Sequence, residues 1–142
     1  MSKPQGFYFE DLTVGMSGRI EKLITDDHIS KFAAVTGDTN PLHLDDDYAG
    51  GTLFGGRIAH GMLTASLFSA VLGTKMPGPG CIYMSQSIRF RAPVRPGDVV
   101  VATVTVSRID SGKQCVEFEC SCILGETVVA DGQALAKVPS RG

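Results

Sequence analysis

The spacing of apolar residues differs between the two halves of the chain. In the first half, residues 26–36 carry apolar positions at helical spacing, and residues 60–74 are apolar on every helical face. From residue 82 onward, apolar and polar residues alternate, which is the period of strands with one buried face. The pattern therefore predicts two helices followed by a set of strands, with a short strand at 19–24 before the first helix.

The first predicted helix, 26–36, has end signals as well as the right spacing. Thr25 is a good N-cap residue, and Asp26 and Asp27 place negative charge in the first turn, where the helix dipole favours it. Gly37 is the residue type that commonly ends a helix in a left-handed conformation. Both boundaries of this helix are therefore predicted from residue chemistry.

The second predicted helix, 60–74, has only small hydroxyls as polar side chains after its first position. A helix that is apolar all round is a buried one. At 1.5 Å per residue it is about 22 Å long, which suits the centre of a small domain. The segment 38–59 before it is rich in Asp, Asn, Pro and Gly without a sustained period, so we expect a long ordered loop of the kind that tends to be functional.

The second half predicts strands over 82–91, 100–107, 116–124 and 128–138. Turn residues at 110–113 and 124–126 favour hairpins, so the strands should pair antiparallel as a meander. A sheet that covers an all-apolar helix curls around it. The expected fold class is α+β, a single hot-dog fold in which a curved antiparallel sheet wraps a long buried central helix.

One such sheet leaves part of its edge uncovered, together with the apolar loop residues Leu53, Phe54 and Ile58. Exposed edges and apolar patches favour pairing of two copies. We therefore expect a homodimer.

Composition narrows the class of protein. The chain has 142 residues, the usual size of one domain, so a single domain over 1–142 is expected. With 13 Lys and Arg against 15 Asp and Glu, and no long run of either sign, it lacks the charge pattern of a nucleic-acid or membrane-surface protein. The first ten residues do not resemble a signal peptide, which predicts a cytoplasmic location. The four cysteines lack CxxC spacing and should be free, buried thiols.

The segment from Asp38 to His43 carries the most suggestive chemistry. It brings a carboxylate, the Asn40 amide and an imidazole within six residues, stiffened by Pro41. A carboxylate and an imidazole on one turn can share a water and move its proton, which is general acid–base chemistry. The alternative is a polar helix exit, in which Asp38 turns the backbone and His43 lies at the surface.

A second candidate is Gly61, next to His60 at the start of the second helix. A helix N-terminus carries free N–H groups and partial positive charge, so Gly61 could donate to an oxyanion. Alternatively, Gly61 only lets the helix pack closely, and His60 is a structural histidine. The spacing of the histidines and acidic residues predicts no metal site, and neither a phosphate-binding loop nor a GxSxG serine-hydrolase motif is present.

Together these motifs resemble the MaoC-like hydratases, in particular the (R)-specific enoyl-CoA hydratases. The resemblance rests on three segments and spans about 8–138: Asp38-x-Asn40-Pro41-Leu42-His43, Ile58-Ala59-His60-Gly61-Met62, and Phe9-Glu10-Asp11-Leu12-x-Val14-Gly15. It implies a hot-dog homodimer, or a dimer of such dimers, without cofactor. The implied reaction is reversible addition of water to a trans-2-enoyl-CoA, giving the (R)-3-hydroxyacyl-CoA.

The resemblance also implies a role for each matched residue. Asp38 and His43 become the acid–base pair, and Asn40 helps to orient the water. Gly61 becomes the backbone donor of the oxyanion hole, and Ser69 supports Asp38. An acyl pocket is expected to be lined by Leu53, Phe54, Ile58, Leu63, Leu67, Ile82 and Met84.

Two other functions stay open. The first is a hot-dog acyl-CoA thioesterase, which often carries an acidic residue on the central helix; 60–74 contains neither Asp nor Glu. The second is a non-catalytic module that binds acyl-CoA, although such a module would have no need for the intact set of Asp38, Asn40 and His43.

Overall fold

A computed structural model describes residues 6–142; the first five residues, part of the segment used above to predict the location, lie outside it. A 3-10 turn at Phe9–Asp11 opens the described part. The other elements, in chain order, are β1 (Ser17–Leu23), α1 (Asp26–Thr36), α2 (Pro41–Leu44), α3 (Asp46–Gly50), α4 (Gly61–Thr74), β2 (Ile82–Phe90), β3 (Val99–Asp110), β4 (Cys115–Leu124) and β5 (Thr127–Lys137). No helix within residues 6–142 is both long and apolar enough to cross a membrane.

The five strands form one antiparallel sheet in the order β1-β3-β4-β5-β2. The predicted meander is confirmed for β3, β4 and β5, which are joined by the two predicted hairpin turns. It is wrong for β2, which pairs with β5 at the far edge. The segment 91–98 between β2 and β3 contains Pro93 and Pro96, which have no amide hydrogen to continue a ladder.

The two hairpin turns are built as their residue types predict. Asp110 Oδ1 accepts hydrogen bonds from the Gly112 and Lys113 amides, at 3.1 and 3.3 Å. Gly125 has a φ of 62°, a left-handed conformation that costs glycine little. These turns bring β3, β4 and β5 into register.

Helix α4 packs against the sheet, as the hot-dog prediction requires. Its buried side includes Phe68, Val71 and Leu72, each at most 1% exposed. The expectation that it is buried on all sides is wrong for the single chain, because Met62, Ser66, Ser69 and Gly73 lie on an exposed side. That side is built mainly from small or hydroxyl residues, for which exposure costs little.

The ends of α1 are confirmed residue by residue. The Thr25 hydroxyl accepts from the His28 amide, and His28 Nδ1 accepts from the Thr25 amide, both at 3.1 Å. At the other end, Gly37 has a φ of 81° and its amide donates to the Ala33 carbonyl. The chain therefore leaves α1 in a fixed direction, which sets the position of the next residue, Asp38.

The segment 38–59 is more regular than predicted, because it contains α2 and α3. Each is about one turn long and is started by a side-chain cap. Asn40 Oδ1 accepts from the Leu42 amide at 3.0 Å, and Asp45 Oδ1 accepts from the Tyr48 amide at 3.1 Å. Helices this short show no apolar period, which is why the pattern did not reveal them.

The cysteines are free, as predicted, and Cys115, Cys120 and Cys122 are buried. Burial is the main cause that raises the pKa of Cys120 to about 11 and that of Cys122 to about 12. These thiols are therefore protonated and unreactive at neutral pH.

Candidate active site

A cavity of about 440 Å³ opens where the segment after α1 meets the start of α4 and the end of β2. Its polar lining comes from Asp38, His43, His60, Thr64 and Arg91. Its apolar lining includes Phe54, Ile58, Met62, Phe90, Val94 and Val129. The fold therefore brings three of the sequence-predicted site residues, Asp38, His43 and Gly61, to one cavity.

Asp38 is exposed and follows directly on the left-handed Gly37. Its amide donates to the Thr36 hydroxyl at 3.1 Å, and its Oδ1 accepts from the Asn40 amide at 3.2 Å. These short-range bonds fix the turn and leave Oδ2 of the carboxylate without a hydrogen-bond partner among residues 6–142. Asp38 thus turns the backbone, as the structural alternative supposed, and lines the cavity as well.

His43 lies on α2 and is buried, with 8% of its surface exposed. Its Nδ1 lies 2.8 Å from the Ile58 carbonyl oxygen. A carbonyl only accepts, so Nδ1 carries the hydrogen and Nε2 keeps a lone pair. The alternative that places His43 at the surface is wrong, because α2 turns the ring inward against the chain at Ile58.

His60 is the N-cap residue of α4 and only 2% exposed. Its Nε2 lies 3.0 Å from the backbone carbonyl oxygen of Asp38, so the hydrogen is on Nε2. Its ring centroid lies 4.0 Å from that of His43, at an interplanar angle of 32°. The prediction of a structural histidine is therefore correct, and the groups that His60 contacts are the two principal site residues.

Gly61 is the first residue of α4, so its N–H has no carbonyl to bond within the helix. A Cβ at this position would lie 2.8 Å from Cε1 of Phe90, which is too close. Close packing at Gly61 is thus confirmed, with the Phe90 ring of β2 as the neighbour in place of the loop. The oxyanion donor stays a prediction, consistent with the position of Gly61 in the cavity lining.

Asn40 and Ser69 do not join the cavity lining. The Asn40 side-chain oxygen instead accepts a hydrogen bond that caps α2. Its side-chain nitrogen remains as a donor for another partner. Ser69 lies on the exposed side of α4, two helical turns beyond Gly61, and makes no hydrogen bond to Asp38 among the described residues. Its support of Asp38 stays a prediction.

The predicted acyl lining is correct only for Phe54 and Ile58. The other five residues, Leu53, Leu63, Leu67, Ile82 and Met84, are absent from the cavity lining. Leu53 is 91% exposed and Leu67 is buried in the core. Phe90 and Val129 were not predicted to line the cavity. They meet through the pairing of β2 with β5, and a linear pattern does not reveal that pairing.

Asp38, His43 and His60 each place one possible ligand atom within 4.8 Å of the others. Two imidazole nitrogens and a carboxylate oxygen are donors that a first-row divalent metal accepts. The three residues are spread over 22 positions of the chain, so spacing alone does not show the cluster. The absence of a metal stays a prediction.

Two basic residues near the cavity make polar interactions with the segments that surround it. Arg91 forms an ion pair with Asp131 at 2.7 Å. Arg95 donates to the Phe54 carbonyl at 2.6 Å, which ties the 52–57 loop to the segment before β3. Arg89 lies next to them in the chain and is exposed.

Comparison with known proteins gives consistent matches. A family model described as "MaoC like domain" matches residues 13–126. The chain is 50% identical over 135 residues to an (R)-specific enoyl-CoA hydratase of Rhodospirillum rubrum, covering 95% of this chain and 94% of that protein. It is 49% identical over 134 residues to a 3-hydroxybutyryl-CoA dehydratase of Methylorubrum extorquens, covering 94% and 85%.

Solved structures agree with these relatives. The R-hydratase PhaJ1 from Pseudomonas aeruginosa superposes with a TM-score of 0.90 at 38% identity, covering 96% of this chain and 88% of that one. An (R)-hydratase from A. caviae, involved in PHA biosynthesis, gives 0.89 at 40% identity, covering 92% and 99%. The likeness therefore extends over nearly the full length of both chains.

Proposed function

The chain belongs to the MaoC-like family, and we propose that it is an (R)-specific enoyl-CoA hydratase. It adds water reversibly to a trans-2-enoyl-CoA and gives the (R)-3-hydroxyacyl-CoA. The observation that carries this proposal is the pairing of Asp38 with His43 in one cavity. The Nδ1–H of His43 is bound to the Ile58 carbonyl, so its Nε2 is free to accept a proton.

The distance between these two groups fits a bridging water. One carboxylate oxygen of Asp38 and one ring nitrogen of His43 lie within 4.8 Å of each other. A water that makes two hydrogen bonds of about 2.8 Å, at an angle of about 110–120°, joins atoms about 4.6–4.8 Å apart. Asp38 and His43 can therefore hold one water between them and share its hydrogens.

The addition then balances without any further reactant. The water oxygen forms a bond to C3 of the substrate, the C2=C3 double bond opens, and one proton reaches C2 on the same face. Asp38 and His43 take up the proton that the water loses and return one to C2. No electrons are gained or lost overall, so the reaction as written requires no redox cofactor.

Negative charge develops on the thioester oxygen during this addition. The Gly61 N–H lies at the N-terminus of α4, where the helix dipole is positive. Such a donor can stabilise the transition state by about 3 kcal/mol. We propose that Gly61 binds the thioester oxygen, and that Asn40 reaches the water through its amide nitrogen.

The proposed working unit is a homodimer, or a dimer of dimers. Strand β2 lies at an edge of the sheet and exposes Ile82, Met84 and Phe90, each more than half accessible. A second copy would cover these residues. We further propose that Ser69 supports Asp38 in this working unit.

Purified protein and crotonyl-CoA test the proposed activity. Hydration removes the ultraviolet absorbance of the enoyl thioester, whereas a thioesterase releases free CoA, which a chromogenic disulfide detects. We expect loss of the enoyl absorbance without thiol release, and a product that an (R)-specific 3-hydroxyacyl-CoA dehydrogenase oxidises. Thiol release at the same rate would favour the thioesterase. Absence of both signals would favour a non-catalytic module.

A further inference from the structure

His60 contacts both residues that the proposed water chemistry uses. It precedes the first residue of α4, and its ring packs against two other rings. The ring centroid of His43 on α2 lies 4.0 Å away, and that of Phe32 on α1 lies 4.8 Å away at an interplanar angle of 51°. A single imidazole therefore connects α1, α2 and α4.

The hydrogen bond of His60 fixes the backbone of Asp38. Its Nε2–H donates to the Asp38 carbonyl at 3.0 Å, across 22 residues of sequence. Asp38 is otherwise held only by short-range bonds to Thr36 and Asn40. This is the long-range bond that ties the turn after α1 to the start of α4.

The second ring nitrogen of His60 is unusual. Nδ1 is buried and has no hydrogen-bond partner among the described residues. An unpaired buried nitrogen costs free energy that an apolar ring such as Phe would not incur. The retention of a histidine here therefore calls for a role of the imidazole beyond packing.

We propose that His60 is a positioning residue, which holds the Asp38 backbone and the His43 ring at the separation that one water can bridge. This inference rests on the proposed hydratase function. It predicts that loss of the bond or of the ring lowers kcat and leaves KM nearly unchanged, because His60 acts through the two groups that handle the water.

Two variants separate the two contacts. His60→Gln keeps an amide donor near the position of Nε2 and loses the ring. His60→Phe keeps a ring beside His43 and loses the donor. We expect kcat for crotonyl-CoA hydration to fall about 10- to 100-fold in each, since small misplacements of reacting groups cost up to about 100-fold, with KM within about twofold. His60→Ala should lose more than either, so the conservative variants give a partial rescue.

The matched control is His28→Gln, which removes a half-buried histidine that lies outside the cavity lining. Its kcat should equal that of the wild type. If the wild type hydrates crotonyl-CoA and both His60→Gln and His60→Phe keep wild-type kcat, or change only KM, the positioning role is overturned while the hydratase function stands. If the wild type does not hydrate enoyl-CoA at all, the proposed function itself fails.

A spectroscopic measurement on the wild type is independent of whether the variants fold. The chain has three histidines, so its imidazole ¹⁵N spectrum is simple, and the His28→Gln control assigns one set of signals. The structure predicts the Nδ1–H form for His43 and the Nε2–H form for His60. A His60 ring with its hydrogen on Nδ1 and none on Nε2 would overturn the positioning role, because the bond to Asp38 would then be absent.

Discussion

The apolar sheet and the catalytic corner are built on opposite principles. In β3, β4 and β5, alternate residues such as Val104, Phe118 and Ala134 are at most 2% exposed. The burial of apolar side chains therefore fixes where these residues lie. In the corner formed by 37–61, an exposed carboxylate and two buried imidazoles are held by individual hydrogen bonds and a ring contact. The sheet stabilises the molecule, and the corner keeps polar groups in fixed positions beside solvent.

The same contrast governs reactivity. Burial raises the pKa of Cys120 and Cys122, which makes these two thiols unreactive at neutral pH. His43 is also buried, and the Ile58 carbonyl orients its ring through Nδ1. The difference therefore lies in the side chain: burial suppresses the thiols, whereas an imidazole that is bound through one nitrogen keeps the second for chemistry.

The largest expected effect is loss of activity, from substitutions in the corner. Asp38→Asn and His43→Ala should each lower kcat about 100- to 10,000-fold, the usual contribution of general acid–base groups. The Asp38 carboxylate is exposed, so Asp38→Asn should leave the melting temperature nearly unchanged. The matched control is Asp47→Asn on the exposed side of α3. Wild-type hydration of crotonyl-CoA by Asp38→Asn would refute the assignment.

The reverse outcome is expected in the sheet. Phe118→Ala removes a fully buried side chain and should lower the free energy of unfolding by about 3–5 kcal/mol, measured by urea denaturation. The kcat of the remaining folded protein should stay within about threefold of wild type, because Phe118 does not line the cavity. A large loss of kcat at full folding would show that the two regions are not separable.

Gly61 lies where the corner meets the sheet, so Gly61→Ala should affect both regions. The added Cβ would lie 2.8 Å from the Phe90 ring, so either the ring or the start of α4 must move. We expect kcat to fall about 10- to 100-fold through the shifted Gly61 donor. Adding Phe90→Leu should restore part of the loss by making room. Wild-type kcat in Gly61→Ala would contradict the close packing described here.

The buried thiols are also expected to make the stability of the protein depend on pH. Their pKa is raised from an ordinary 9.0 to about 11 in Cys120 and about 12 in Cys122. Above pH 9 the unfolded chain therefore releases these protons while the folded chain keeps them, and the free energy of unfolding falls as pH rises. The slope is at most about 1.4 kcal/mol per pH unit for each thiol.

Denaturation of the wild type and of Cys120→Ala plus Cys122→Ala between pH 8 and 10.5 measures this slope. The double variant is less stable at every pH but should lose less stability between those limits. An equal slope in both proteins would show that the two thiols do not contribute to it.

The sequence predicts most of the sheet and α1, because both follow from residue chemistry that acts over a few positions. Thr25 and Gly37 bound α1 as expected, and alternation locates all the long strands to within a few residues. The partner of β2 is not predictable in this way, because strand order depends on contacts between distant segments. For the same reason Phe90 and Val129 escape prediction as cavity residues.

The site itself is predicted in part. Asp38 and His43 are recognisable because they share one short segment, and Gly61 because it starts a helix. The orientation of His43 and the contacts of His60 are not predictable from the sequence. They depend on a carbonyl 15 residues away and on a bond across 22 residues. Ser69 is placed by the resemblance beside Asp38, although the single chain separates them.

The central claim is that Asp38 and His43 direct one water to C3 of an enoyl thioester. Incubating the protein with crotonyl-CoA in ¹⁸O-labelled water and analysing the products by mass spectrometry tests it most directly. The account predicts the label in the C3 hydroxyl of an intact 3-hydroxybutyryl-CoA, and none in the Asp38→Asn reaction over the same time. The label in the carboxylate of a free acid, with release of CoA, would contradict it.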